Sequence, residues 1–114
     1  MNATTLTALA EPNRLRIVEL LREGPRPVGE IAENLQLRQP QVSKHLRVLN
    51  EAGLVDVKPV ANQRVYFLRA DPFRALDEWL DTFSLLWQNR LDAMDEIVQE
   101  LEASRKTEAN EKET

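Results

Sequence analysis

The sequence predicts a mainly α-helical domain with one small β-hairpin, and three features of the chain carry this prediction. Apolar residues recur at intervals of three and four over most of its length, which is the period of an amphipathic helix. At residues 55–58 they alternate with polar residues, which is the period of a half-buried strand, and a second run rich in β-forming residues follows from Arg64 to Arg69. The 114 residues suffice for one domain with a modest core, a size at which a second subunit often completes the core.

Two helices are predicted in the first 23 residues. The segment TTLTALA carries Leu6 and Leu9 three positions apart, which predicts a short helix whose apolar edge needs a partner. The segment EPNRLRIVELLREG predicts a second helix over residues 12–23 from the spacing of its apolar residues. Pro12 suits the first turn of that helix, and Gly24 is a typical stop signal after its end.

The next two helices are separated by a very short connection. VGEIAENL predicts a helix of about two turns. Residues 36–38 leave room only for a tight turn, and Pro40 fits only the first turn of the helix that follows. That fourth helix is predicted over residues 39–52, with Gly53 ending it. Two helices joined in this way form a helix-turn-helix, in which the second helix is free to project.

After the fourth helix the chain changes to the pattern of a β-hairpin. Val55 and Val57 alternate with polar residues in the first predicted strand, and the second strand runs from Arg64 to Arg69. The predicted tip consists of Ala61, Asn62 and Gln63. It lacks glycine, although Asn62 tolerates the left-handed conformation that a tight tip can need.

A long helix is predicted over residues 72–103, with Asp71 as N-cap and Pro72 in the first turn. It would be about 48 Å long, and its apolar residues step by threes and fours almost as in a coiled-coil seam. The preceding part of the chain is too small to cover this stripe, whereas a second copy of the same helix can cover it. The predicted dimer contacts on this helix are Trp79, Phe83, Trp87, Leu91 and Met94.

The net charge of −4 hides an asymmetry between the two parts of the chain. Residues 1–70 carry ten Lys or Arg against seven Asp or Glu, whereas residues 71–114 carry five against twelve, which gives +3 and −7. The basic part can therefore bind a polyanion although the whole chain is acidic.

The sequence predicts a cytoplasmic protein without membrane contact. It has no cysteine, no basic N-terminal segment followed by an apolar run, and no long apolar stretch.

The fourth helix concentrates polar and cationic side chains. A helix in the major groove of DNA needs donors and acceptors for base edges, flanked by cations for phosphates. The residues expected to contact bases are Gln39, Gln41, Ser43 and Lys44. The residues expected to contact the DNA backbone are Arg38, Arg47, Lys58 and Arg64, of which Arg38 also suits a base. A solvated helix face explains the same residues taken alone, but the order of the elements favours DNA.

The segments EPNRLRIVELL, VGEIAENL, QPQVSKHLRVLNEAGLV and RVYFL resemble, in the same order and spacing, the winged helix-turn-helix of the ArsR/SmtB family of bacterial transcriptional repressors. The resemblance covers about residues 3–92. It implies a homodimer, joined through the first and last helices, that binds an inverted-repeat operator in double-stranded DNA and represses transcription. Leu6 and Leu9 thereby join the predicted dimer contacts.

The resemblance also implies a domain organisation. A DNA-binding winged helix-turn-helix is expected over residues 1–92, and the dimerisation helix over residues 72–103 overlaps its end. The tail SRKTEANEKET has almost no apolar residue, so residues 104–114 are expected to be a disordered acidic tail.

The chain departs from the metal-sensing members of that family. Those that sense thiophilic metals carry cysteines in the helix matched by PVGEIAE, where this chain has Pro27, Gly29 and Ala32. Those that sense zinc, nickel or cobalt often use His and Asp pairs on the final helix, which here contains no histidine. A lone His45 cannot supply the usual ligands, so neither a metal nor another cofactor is expected. Arg38 also replaces the Ser or Thr that often caps the recognition helix.

The sequence names no effector. Trp79, Phe83 and Trp87 form an aromatic strip where a small-molecule effector would be sought, although dimer and core packing explains the strip more simply. No Ser, Cys or carboxylate partner is implied for His45 by its neighbours in the sequence, and it is expected to pack or to contact the DNA backbone.

Two classes of function remain open at this point. The first is a DNA-binding regulator, and the second is a winged-helix module that binds a protein instead, with the acidic residues 71–114 as the partner surface. An enzyme is not expected, because no nucleophile with a base, no glycine-rich phosphate loop and no metal constellation is present in the sequence.

Overall fold

The computed structural model describes the backbone of residues 2–113 and the side chains of residues 2–107. Its helices are α1 (Ala3–Ala10), α2 (Pro12–Leu21), α3 (Val28–Leu35), α4 (Gln39–Glu51) and α5 (Ala70–Glu113). Its strands are β1 (Arg26–Pro27), β2 (Val55–Val60) and β3 (Gln63–Leu68). The predicted mainly α-helical class with a small β element is confirmed, and the four predicted helices before the hairpin are present.

Internal contacts divide the chain into two units, Met1–Asp77 and Glu78–Thr114. The first unit contains every element from α1 to β3 and the first residues of α5, and the second consists of the rest of α5. The domain limits expected from the sequence at residues 92 and 103 stay predictions. No helix in the described part of the chain is long and apolar enough to cross a membrane.

The core of the first unit joins α2, α3, α4 and the start of β2. Its largest fully buried side chains are Ile17, Ile31, Leu46, Leu49, Leu54, Val42 and Val55. Each such side chain stabilises the fold by about 1.5–3 kcal/mol relative to an exposed position. This cluster holds the second helix of the helix-turn-helix against the first two helices and the hairpin.

The first two helices begin at residues whose side chains cap them. The Asn2 side chain accepts a hydrogen bond from the Thr5 backbone N–H at 3.1 Å, which satisfies a donor of the first turn of α1. The Glu11 carboxylate does the same for α2, accepting from the Arg14 N–H at 2.8 Å. Pro12 follows as the first residue of α2, as predicted. That helix ends at Leu21, two residues before the predicted end.

The turn between α3 and α4 depends on a residue in the left-handed region. Gln36 has φ 54° and ψ 43°. Its N–H donates to the Glu33 carbonyl at 3.3 Å, and the Leu37 N–H donates to the Ala32 carbonyl at 3.0 Å. These two bonds form a Schellman motif, which satisfies the last carbonyls of α3 and reverses the chain within three residues.

The sheet has three strands, whereas the sequence predicted a two-stranded hairpin. The strand order is β1-β3-β2 with both pairings antiparallel, and Arg26 pairs with Tyr66. Only the β2–β3 hairpin, called the wing below, was predicted. The prediction missed β1 because two residues beside a proline show no alternation, and this strand exists only through its pairing with β3.

The tip of the wing is shorter than predicted. Since β3 already begins at Gln63, the tip comprises only Ala61 and Asn62. The tip residue with a positive φ is Ala61, at 56°, and not Asn62, the residue that tolerates this conformation better. In a type II′ turn, one of the two favoured two-residue hairpin turns, the single positive φ falls on the first residue.

The last helix extends beyond its predicted limits at both ends. It begins at Ala70 rather than Pro72, and its backbone remains helical to Glu113, across most of the tail expected to be disordered. Segment 104–113 is rich in Glu, Lys and Arg, which have high helix propensity and explain why the helix can continue. Thr114 lies outside the described residues.

Gln36→Gly is expected to stabilise the protein by about 1 kcal/mol, because a β-carbon is unfavourable in the left-handed region and glycine lacks one. Denaturant unfolding of the variant and the parent measures this difference. Glu33→Gly, an exposed position inside the same helix, is the control and should cost about 1 kcal/mol. Equal destabilisation by both substitutions would contradict the strain assigned to Gln36.

Candidate nucleic-acid interface

The orientation of α4 is fixed by three buried side chains at helical spacing. Val42, Leu46 and Leu49 are fully buried. At 3.6 residues per turn, positions 40, 44, 47 and 51 then point away from the core, and all of them are exposed. The face that α4 presents to a partner is therefore set by the core.

One groove brings together four of the eight residues predicted to contact DNA. It lies between α4 and the wing and has a volume of about 640 Å³. Gln39, Ser43 and Arg47 line it from α4, one helical turn apart, and Arg64 lines it from the wing. The charged residues of this lining, Arg47 and Arg64, are both cations, and the other polar side chains are uncharged. The groove therefore suits a polyanion that also offers hydrogen-bonding edges.

The other four predicted residues lie outside the lining of that groove. Gln41, Lys44 and Arg38 are exposed on α4 and on the turn before it. Lys58 is exposed on β2 and pairs through its backbone with Val65. Lys44 occupies the outward face beside Ser43, so a partner seated against α4 can reach both.

Gln41 has a structural contact that the sequence did not suggest. Its side-chain oxygen accepts a hydrogen bond from the Arg38 backbone N–H at 3.4 Å. An arginine side chain has no acceptor, so Arg38 cannot cap the helix in return, and only this half of a capping box is present. Gln41 therefore helps to order the first turn of α4 in addition to its predicted contact with DNA.

Arg47 is paired with an acid of its own helix. Its Nε atom lies 3.2 Å from Oε1 of Glu51, and the two side chains are 82% and 66% exposed. An exposed pair of this kind contributes at most about 1 kcal/mol, so a phosphate can displace the carboxylate. Glu51 was not among the predicted site residues, although its position four residues after Arg47 is a sufficient signal for this pair.

His45 has a carboxylate partner that is distant in the sequence. Its Nδ1 atom lies 3.6 Å from the Glu11 carboxylate, and both side chains are partly buried. The expectation that His45 packs is consistent with this position, but no partner could be found by inspecting its sequence neighbours. The contact joins α4 to the N-terminus of α2.

The Glu11 carboxyl has a pKa below its ordinary value. The main cause is the hydrogen bond from the Arg14 backbone N–H, which stabilises the ionised carboxylate. Partial desolvation opposes this effect, while the Asn13 N–H and the charges of His45 and Arg14 add to it.

Two arginines of α2 bind the C-terminal ends of neighbouring helices. Nε of Arg14 donates to the Ala8 carbonyl of α1 at 2.7 Å. Nη2 of Arg16 donates to the Leu35 carbonyl of α3 at 2.9 Å. Cations at helix C-termini are favourable because of unpaired carbonyls and the helix dipole. These bonds hold α1 and α3 in place around α2, and through α3 they support the turn before α4.

The predicted dimer contacts are largely solvent-exposed. In the second unit Trp79, Phe83, Trp87, Leu91 and Met94 all lie on the surface, and Trp79 packs edge-on against Phe83 with ring centroids 4.9 Å apart. In the first unit Leu6 is 41% exposed, whereas Leu9 packs partly against the core. An apolar stripe of this size on a lone helix is unfavourable in water and indicates an interaction surface.

Comparison with known proteins identifies the family. The sequence model of the arsR family of bacterial regulatory proteins matches residues 11–57. The HTH-type transcriptional regulator Rv2034 of Mycobacterium tuberculosis is 41% identical over 91 residues, which cover 80% of this chain and 82% of that protein. The biofilm growth-associated repressor of Agrobacterium fabrum is 42% identical over 78 residues, covering 68% of this chain and 67% of that protein. The chain belongs to the ArsR family of bacterial regulatory proteins.

A solved structure agrees with this assignment. The homodimeric winged helix-turn-helix DNA-binding domain Mb0332 from Mycobacterium bovis is similar with a TM-score of 0.61 and 27% sequence identity, covering 72% of this chain and 76% of that one. The predicted winged helix-turn-helix fold is confirmed. Like the members of its family and the relatives named above, the protein is a DNA-binding transcriptional regulator, and it is not an enzyme.

Glu11→Gln is expected to remove part of the pH dependence of stability. Because folding lowers the pKa of Glu11, its charge stabilises the fold above the ordinary glutamate pKa, and this contribution is lost as the pH falls through the lowered value. Thermal unfolding between pH 3 and 7 should therefore show the largest deficit of the variant at neutral pH and a shrinking deficit in acid. Glu19→Gln, an exposed position on α2, is the control. A deficit of Glu11→Gln that stays constant over this range would contradict the assigned pKa direction.

Proposed function

We propose that this regulator is a repressor that binds an inverted-repeat operator as a homodimer and does not sense metal ions. The observation that carries the proposal is the groove between α4 and the wing. In it two cations, Arg47 and Arg64, and the polar side chains Gln39 and Ser43 line one surface without an acidic residue. Such a surface matches the phosphates and the base edges of duplex DNA together.

The proposed division of contacts follows from the orientation of α4. Its N-terminal half enters the major groove, where Gln39, Gln41, Ser43 and Lys44 contact base edges. The contacts with phosphates come from Arg38, Arg47, Lys58 and Arg64, so the wing lies along the DNA backbone beside the recognition helix. The exposure of Lys44 and Lys58 and the weakness of the Arg47–Glu51 pair support these roles.

The homodimer is supported by the exposed apolar stripe of the second unit and by the homodimeric state of Mb0332. A second copy of α5 covers the stripe, with Leu6 and Leu9 of α1 contributing from the first unit. The dimer presents two recognition helices to half-sites about 34 Å apart, which is why the operator is an inverted repeat.

The absence of metal sensing is proposed from the chemistry of the available side chains. The chain has no cysteine and one histidine, and the described side chains contain no group of three or more His, Asp or Glu able to hold a metal ion. The proposal includes the cytoplasmic location predicted from the sequence, because a repressor acts where the chromosome of a bacterium lies.

The decisive experiment is selection of tightly bound sequences from a randomised pool of duplex DNA, followed by a salt titration of the selected duplex. We expect the selected sequence to be an inverted repeat. The logarithm of its association constant, log K, should fall steeply and linearly with log salt, because phosphate contacts release counterions. If the folded protein enriches no DNA sequence, the proposal is contradicted. That result would favour the alternative, a winged-helix module that binds a protein.

Lys44→Ala should weaken binding to the selected operator by about 1–3 kcal/mol, the range for one base contact, and should relax the preference at one base pair of each half-site. Arg64→Gln should instead make the negative slope of log K against log salt less steep by about 0.9 for each half-site, because one phosphate contact is lost there. Arg22→Gln, at the residue directly after α2, is the control. Equal affinity of Lys44→Ala and the parent would exclude the proposed base contact.

Replacement of both Phe83 and Trp87 by alanine should yield monomers in light scattering. Operator affinity should fall by about a hundredfold or more, because the second half-site no longer binds in an intramolecular step. Leu85→Ala is the matched control, because Leu85 is 72% exposed and lies on the opposite side of the helix from the stripe. A monomer that binds the full operator as tightly as the parent would contradict the proposed dimer.

A further inference from the structure

A second cleft lies in the first unit, separate from the surface proposed for DNA. It has a volume of about 510 Å³ and is formed by the C-terminal half of α2, the end of β3 and the first residues of α5. Its walls are apolar and consist of Val18, Leu68, Ala70 and Phe73. Val18 belongs to the core, and Leu68 and Phe73 pack against the core, so these walls are held firmly.

The rim of the cleft carries cations. Arg22 and Arg69 line it together with one acid, Glu19. Arg69 forms an ion pair with the Asp71 carboxylate at 3.9 Å, which is too long for a hydrogen bond, and an exposed pair of this kind is weak enough for an anionic ligand to displace. Within the described side chains Arg22 forms no ion pair. Arg22 and Arg69 are both exposed, so their guanidinium groups can turn toward an anionic ligand at the edge of the cleft.

We propose that this cleft binds a small amphipathic carboxylate, whose hydrocarbon part lies on the apolar walls while its carboxylate faces Arg22 and Arg69. A volume of about 510 Å³ is within the range of small-molecule sites, which are mainly apolar with few polar groups. A stable protein partner needs about 1,200 Å² or more of buried surface, which a cleft of this size does not supply alone. The excess of positive charge at the rim selects an anion over a neutral or cationic amphiphile.

This site differs from the aromatic strip of Trp79, Phe83 and Trp87, where the sequence alone would place an effector. The cleft is lined entirely by residues of the first unit. Ligand binding here does not depend on the proposed repressor function, and it is measured without DNA.

The test titrates the full chain with octanoate as the probe. Binding is monitored through the backbone amide chemical shifts in two-dimensional NMR spectra. Octanoate has about ten non-hydrogen atoms, so a dissociation constant of about 1 mM is expected. Saturable shifts should appear at Val18, Leu68 and Phe73. Acetate lacks the hydrocarbon tail of octanoate, and 1-octanol lacks its charge. If the apolar walls and the cationic rim both contribute, each of these two compounds should bind at least about tenfold more weakly than octanoate.

Two variants distinguish the charged rim from general apolar binding. Replacement of both Arg22 and Arg69 by glutamine should weaken octanoate binding about tenfold. Arg74→Gln, an exposed arginine of α5 that does not line the cleft, should leave it unchanged. The proposal is overturned if octanoate causes no shifts up to about 10 mM or shifts only residues 79–101. It is also overturned if 1-octanol binds as tightly as octanoate. Unchanged octanoate binding by the double variant, with its fold intact, would overturn it as well.

Discussion

Three aliphatic side chains, Val42, Leu46 and Leu49, hold α4 against the core, and the whole candidate interface depends on this contact. All three are inaccessible to solvent and recur at helical spacing, so they fix the rotation of the helix about its axis. That rotation directs Lys44 and Arg47 outward and turns Gln39 and Ser43 toward the wing. A rotation of one residue, about 100°, would bury polar groups at considerable cost, so the interface geometry is as well determined as the core.

Helix ends contribute a second level of order around α4. Glu11 caps α2, Arg14 binds the end of α1, and Arg16 binds the end of α3. The left-handed Gln36 then closes α3, and Gln41 supports the first turn of α4. Because each bond satisfies a backbone group that a helix end leaves unpaired, the helices are held at their termini as well as through their apolar faces.

The second unit has a different physical basis. A helix in isolation gains little from intrinsic propensity, and most helical stability in proteins comes from packing of an apolar face. Among the described side chains of its own unit, the exposed stripe from Trp79 to Leu101 lacks such packing apart from the edge-on contact of Trp79 with Phe83. A second copy of the chain supplies it under the proposed dimer, so folding of this segment and assembly are expected to be coupled.

Local patterns in the sequence determined most of the helices, the hairpin and the composition of the α4 face, because helical and strand periods appear within a few residues. The tertiary structure decided what depends on distant or nonlocal contacts. The strand β1 exists only by pairing with β3, and Glu11 meets His45 across 34 positions of the chain. The positive φ of Ala61 follows from the register of the hairpin, and the acid-free groove follows from the approach of the wing to α4. Residue types and spacing show which side chains can interact, whereas packing of the core determines which of them meet.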